Sequence, residues 1–76
     1  MANIKFPKDF YVTPHKVVPG AVRWLPKKSV SQFVSIVGGG VGIYGDGVNT
    51  FEIMIDNDVE GFLSKKEINK LLKKVF

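Results

Sequence analysis

The sequence predicts a small α+β domain, in which an antiparallel sheet of three to five strands is packed by one C-terminal amphipathic helix. All four prolines lie in residues 1–26, and proline disfavours helix, so this third of the chain must be extended or looped. Residues 49–56 alternate apolar and polar side chains, as a half-buried strand does. Residues 64–76 carry apolar side chains at helical spacing, which predicts the helix.

The chain is predicted to be a single domain in which the sheet occupies residues 21–56 and follows a proline-containing extended segment at 1–20. Short edge strands are predicted between the prolines, at 10–13, 17–18 and 21–25, because aromatic and β-branched side chains favour strands. A further strand is predicted at 29–37, where β-branched residues are frequent. We expect it to pair with the alternating strand at 49–56.

The helix has a start signal and a two-sided pattern. Ser64 is followed three residues later by Glu67, which predicts a capping box that satisfies two backbone N–H groups at the helix start. The apolar stripe consists of Ile68, Leu71, Leu72 and Val75. The lysines of the opposite side are Lys66, Lys70, Lys73 and Lys74.

The large aromatic side chains are expected to build the core of the domain. Phe33, Phe51 and Phe62 are predicted to be core residues. Trp24 is also expected to contribute to the core. The alternative is that Trp24 is an exposed interface anchor, because it lies beside Arg23 on a predicted edge strand.

A glycine-rich stretch has the spacing G-x-G-x-x-G at Gly40, Gly42 and Gly45, which dinucleotide-binding loops share. That chemistry requires a helix to begin at the loop, so that its N-terminus faces a pyrophosphate. Residues 41–50 contain three glycines and the turn signal Asp46-Gly47, which disfavour a helix. The sequence therefore predicts a glycine-rich hairpin.

Residues 56–67 resemble the twelve-residue calcium loop of EF-hand proteins, in which oxygen ligands at fixed spacing surround a hard cation. The candidate calcium ligands, with Phe62 acting through its carbonyl oxygen, are Asp56, Asp58, Glu60, Phe62, Ser64 and Glu67. A strand precedes this segment, whereas an EF-hand has a helix there. The same residues also fit a plain junction, with a turn at Gly61 and the capping box after it. No cofactor other than calcium is predicted.

Size and composition argue against an enzyme. A chain of 76 residues has a thin core and little room for a deep catalytic cleft. Cysteine is absent and His15 is the sole histidine, so no Cys-His or Ser-His-Asp arrangement is predicted. The N-terminus lacks an apolar signal segment, and the uncharged run at 29–44 is too polar for a membrane span. We expect a cytoplasmic protein without membrane contact.

The net charge of +4 is unevenly distributed along the chain. Residues 1–45 carry six Lys or Arg and one Asp, residues 46–60 carry five acids and no base, and residues 61–76 carry five Lys and one Glu. Such blocks can attract one another within a fold or face different partners. The candidate partner-binding residues are Arg23, Trp24, Lys27, Lys28, Lys66, Lys70, Lys73 and Lys74.

These features predict a non-enzymatic module that binds another protein. The alternative is binding of a nucleic-acid backbone by the lysine face of the helix, because lysines neutralise phosphates. A protein partner is favoured, since a single arginine gives little base recognition and the acidic middle of the chain repels phosphates.

Three stretches of the chain resemble small accessory proteins encoded by phages and prophages. They are VSIVGG at 34–39, GIYGDGVNTFE at 42–52 and GFLS at 61–64, within a resemblance that covers roughly residues 34–72. These accessory proteins share no single function and no catalytic motif. The resemblance implies a phage product that acts on a host protein, and it implies that the acidic segment at 56–67 is structural.

Overall fold

The structure is a computed structural model that describes residues 4–75, and it forms a five-stranded antiparallel sheet with one helix. The elements are β1 Phe10–Pro14, β2 Val22–Pro26, β3 Val34–Gly38, β4 Phe51–Ile55, β5 Asp58–Leu63 and α1 Lys65–Val75. Neighbouring strands are paired in chain order, so the sheet is a meander. The predicted α+β class is confirmed. The predicted helix end at residue 76 and the first three residues of the N-terminal segment lie outside the described residues.

The sheet is wider than the predicted range of 21–56. Strand β1 lies before that range, where a short strand is predicted at 10–13, and it pairs with β2 from Phe10↔Pro26 to Pro14↔Val22. Strand β5 lies within the acidic segment at 56–67 and pairs with β4. The turn between them is short because Asp56 adopts a left-handed backbone with a φ of 54°, which aspartate tolerates better than most residues.

The core lies between α1 and one face of the sheet, which we call the covered face. All of its fully buried apolar side chains are at most 5% exposed, and they are Ile4, Phe6, Phe10, Val34, Ile36, Phe51, Ile53, Ile68 and Leu72. The ring of Phe6 meets those of Phe10, Trp24 and Phe51 edge to face, with centroids 5.1 to 5.6 Å apart. Such contacts add about 0.5–1.5 kcal/mol per pair to the burial of the rings. Trp24 is thus a core residue, as one of the two alternatives predicted.

A side chain of the helix fixes the N-terminal segment in the core. Asn69 accepts a hydrogen bond from the backbone N–H of Phe6 at 2.8 Å and donates one to the carbonyl oxygen of the same residue at 2.8 Å. These two bonds satisfy backbone groups that burial would otherwise leave unpaired. No local pattern predicts this contact, because 63 positions separate the two residues.

The predicted helix start and apolar stripe are both confirmed. The N–H of Ser64 donates to Glu67 Oε1 at 3.0 Å, and the N–H of Glu67 donates to Ser64 Oγ at 3.2 Å. The bond from the Ser64 backbone lowers the pKa of Glu67. In the stripe, Ile68 and Leu72 are buried, while Leu71 and Val75 pack against the core more loosely.

The glycine-rich connection between β3 and β4 is a hairpin loop, as predicted, and no helix begins in it. Asp46 closes it by accepting hydrogen bonds at Oδ1 from the N–H groups of Val48, Asn49 and Thr50, at 2.7 to 3.0 Å. The loop also packs closely against the last residue of β3, where Gly47 contacts Gly38. A Cβ atom added to Gly38 would lie 2.3 Å from the Cα of Gly47, so only glycine permits this approach.

Among the described residues, no helix has the length and the apolar character that crossing a bilayer requires.

Candidate interaction surface

The side of the sheet opposite α1 is a second, uncovered face, which we call the open face. Because side chains of a strand alternate between faces, the pairing registers define its members. They are Tyr11, Thr13, Arg23, Leu25, Ser35, Val37, Glu52, Met54 and Val59. Within residues 4–75, α1 is the one helix, and its apolar stripe packs into the core on the covered face. Among these described residues, therefore, no second layer covers the open face.

Large apolar side chains are exposed on the open face. Tyr11 is 47% exposed and Val59 is 50% exposed, at the two outer strands. Phe33, which precedes β3, is 46% exposed and lies 5.8 Å below the guanidinium of Arg23. The prediction that Phe33 is a core residue is therefore wrong, because it falls on the side of the sheet that α1 does not cover. Large apolar side chains that a sheet leaves exposed on a face without a covering layer are candidates for contact with a partner.

Two exposed aromatic residues, Tyr44 and Phe62, border this face where β5 is irregular. The pairing of β4 with β5 shifts between Phe51 and Ile53, so that Gly61 and Phe62 together oppose Glu52. Phe62 has a φ of 55°, its N–H donates to the carbonyl oxygen of Tyr44 at 2.7 Å, and the two rings lie 5.6 Å apart.

Phe62 is 66% exposed and Tyr44 is 57% exposed, so the prediction that Phe62 is a core residue is also wrong. The left-handed backbone costs a bulky residue about 1–2 kcal/mol. Gly61 makes the approach possible, since a Cβ atom there would lie 2.3 Å from the Cβ of Tyr44. A strained backbone that keeps an aromatic ring in solvent points to a use for that ring.

Charged side chains cross the open face in one row. The registers place Thr13, Arg23, Val37 and Glu52 side by side on four neighbouring strands. Arg23 and Glu52 therefore lie on the two strands that flank Val37. Glu52 Oε2 accepts a hydrogen bond from the N–H of Tyr44 at 3.0 Å, which leaves Oε1 for a second donor.

A shallow depression lies near the centre of the open face. Ser35 is only 2% exposed there, because larger side chains stand around its short one. The depression has a volume of about 220 Å³ and is lined by His15, Arg23, Ser35, Val37, Ile43, Glu52 and Met54. His15 also has a structural role, since its Nδ1 accepts the N–H groups of Val17 and Val18 at 3.1 Å.

The structure does not bring the predicted partner-binding residues together. Arg23 and Trp24 are adjacent in β2 and therefore point to opposite faces, Arg23 to the open face and Trp24 to the core. Lys27 and Lys28 are exposed after β2. The four predicted lysines of α1, Lys66, Lys70, Lys73 and Lys74, are exposed on the helix. Of the predicted set, Arg23 alone belongs to the open face.

The candidate calcium ligands are spread over three elements. Asp56 lies in the β4–β5 turn, where its carboxylate accepts hydrogen bonds from Gln32 Nε2 at 2.9 Å and from the N–H of Phe33 at 3.2 Å. Asp58 and Glu60 lie along β5, and Ser64 and Glu67 form the helix cap. Between residues 4 and 75, no three His, Cys, Asp or Glu side chains are grouped as a metal ion requires. The geometry favours the turn-and-cap alternative, and calcium binding stays a prediction.

Comparison with protein-family models, with curated proteins and with solved structures gives no significant match to this chain. The role of the open face is therefore inferred from its own geometry. The sequence did carry a signal for this face. Val37 and Met54 place apolar side chains on the second side of strands whose first side is already apolar, and a single predicted helix can cover one side only.

Proposed function

We propose that this chain is a non-enzymatic protein-interaction module that binds another protein with the open face of its sheet. The observation that carries the proposal is a sheet face that no layer of residues 4–75 covers, on which Tyr11 of β1 and Val59 of β5 are about half exposed. Tyr44 and Phe62 extend it at one border.

The chemistry of the open face fits a protein partner. Tyrosine, phenylalanine and arginine are enriched at protein interfaces, where a few such residues supply most of the binding energy. Arg23 offers a charged group beside the ring of Phe33, and the depression over Ser35 offers a place for one side chain of the partner. The phage resemblance supports a host protein as that partner.

Nucleic-acid binding by α1 is the second candidate. All four predicted lysines of the helix are exposed, and lysines that contact phosphates give binding that weakens steeply with salt. The helix lies against the covered face, so this surface and the open face are on opposite sides of the molecule. Substitutions can therefore separate the two functions.

The test compares two variants of the immobilised chain in a pull-down from host lysate. Phe62→Asn combined with Tyr11→Ser removes two exposed rings, and asparagine tolerates the left-handed backbone at position 62. Lys70→Gln combined with Lys74→Gln is the matched control on the helix. We expect a stoichiometric protein partner that the open-face variant loses and the helix variant retains.

Two results would contradict this proposal. One is a captured protein that binds the open-face variant as well as the unchanged chain. The other is salt-sensitive binding of DNA or RNA that only the helix variant loses, which would support the second candidate.

A further inference from the structure

The arrangement of charges on the open face is complementary to itself. Arg23, Val37 and Glu52 are neighbours on β2, β3 and β4. Neighbouring strands are about 4.8 Å apart, so the two opposite charges lie at equal distances on the two sides of Val37. Strand β3 is also the middle strand of the five. The charged row is thus antisymmetric about the centre of the sheet.

This row selects one way of stacking two copies face to face. A twofold axis that runs along β3, between the two sheets, carries β2 of one copy over β4 of the other. Arg23 of each copy then opposes Glu52 of its mate, which gives two equivalent pairs. A twofold axis at right angles to the strands carries β2 over β2 instead, so that Arg23 faces Arg23 and repels it.

The same operation also matches the apolar residues. It carries β1 and β2 over β4 and β5, so Tyr11 and Leu25 of one copy lie over Met54 and Val59 of the other. The strands of the two sheets remain aligned, which is the usual arrangement in sandwiches of two sheets. Charge and apolar contacts thus agree on a single orientation.

We propose that a second copy of this chain covers the open face when no other protein is bound there, in a dimer whose twofold axis runs along β3. The inference rests on the proposed function, because it assigns an occupant to the same surface. Five strands of five or six residues present a face of roughly 24 by 17 Å, which is about half the area that a standard interface buries on each side. The dimer is therefore weak and forms at high protein concentration, and its charge pairs fix orientation more than affinity.

Charge reversal with mixing of variants tests this orientation, and sedimentation measures the association. The unchanged chain should dimerise as its concentration rises. In Arg23→Glu alone, a carboxylate faces Glu52 of the mate in each of the two pairs, and in Glu52→Arg alone, a guanidinium faces Arg23 in each. Each should weaken association by at least about tenfold. An equimolar mixture of these two variants should associate again, since both cross-pairs in the mixed dimer are then of opposite charge.

A control separates charge from folding. Glu52→Gln keeps an acceptor for the N–H of Tyr44 and removes the charge, so it should weaken association without changing the melting temperature of the monomer. Failure of the mixture to associate, when the unchanged chain does, overturns the proposed axis.

A chain that stays monomeric at every concentration overturns the dimer. The proposed function survives that result if the pull-down still yields a partner that the open-face variant loses. A pull-down without such a partner, from a chain that also stays monomeric, removes both.

Discussion

The two faces of the sheet differ in one respect, which is whether anything packs on them. On the covered face, Ile36, Phe51 and Ile53 are at most 1% exposed. On the open face, Tyr11 and Val59 come from the same sheet and are about half exposed. The alternation that makes one face apolar leaves the other with both apolar and polar side chains here. One helix provides burial for one face, so the first face determines stability and the second is available for binding.

Truncation of a phenylalanine on each face should give the largest contrast. Phe51→Ala removes a buried ring that packs edge to face on Phe6 and Trp24, and we expect it to lower the free energy of unfolding by about 3–5 kcal/mol. Phe33→Ala removes a half-exposed ring, and we expect a loss of about 1 kcal/mol or less. Urea denaturation at low protein concentration measures both.

Equal losses of stability for the two substitutions would contradict the difference between the faces, since they would show that the open face is buried in solution. The dependence on protein concentration then becomes informative. A loss of stability in Phe33→Ala that appears only in concentrated samples would place that ring inside the dimer.

The glycine-rich connection joins the two faces, and acid should loosen it. Its Ile43 lines the depression on the open face, while its Val48 lies beside Phe6 and Trp24 on the covered face. Asp46 lies between these two residues, and backbone hydrogen bonds lower its pKa from 3.8 to about 2. The N–H of Thr50 contributes most to this shift, followed by those of Val48 and Asn49. The stabilisation by this carboxylate is complete above about pH 4 and is lost as the pH falls through about 2.

The matched variant is Asp46→Asn, which keeps an oxygen acceptor and removes the charge. We expect it to melt at a lower temperature than the unchanged chain at neutral pH, with a difference that disappears near pH 2. The pKa of Glu67 is also lowered, but the unchanged chain and the variant both contain Glu67, so its contribution cancels in the difference between their melting temperatures. A difference in melting temperature that is independent of pH would show that the charge of Asp46 does not hold the loop.

Local patterns in the sequence were sufficient for the fold class, the capping box and the apolar stripe of the helix. They failed where the answer depends on distant parts of the chain. Alternation around Phe33 shows that two faces exist, but only the position of α1 decides which face is buried. The acidic residues after β4 predicted a bend, but the available edge of β4 pairs residues 58–63 as β5.

Addition of calcium should have the smallest effect. Asp58 and Glu60 pair with Ile55 and Ile53, so they point toward the covered side of an edge strand, which α1 leaves partly open. Charges in this position protect a free strand edge against pairing with other chains. Asp56 is already engaged by Gln32, and gathering the acids around one ion would require β5 to leave the sheet.

We therefore expect the melting temperature to be the same with and without millimolar Ca²⁺. A ligand that binds only the native state must raise stability, so an increase in melting temperature that grows with calcium concentration would contradict this expectation. Asp58→Asn combined with Glu60→Gln is the control, because it should abolish any such increase. An increase that the control abolishes would mean that β5 is not a permanent strand, and that this edge of the sheet changes structure when it binds an ion.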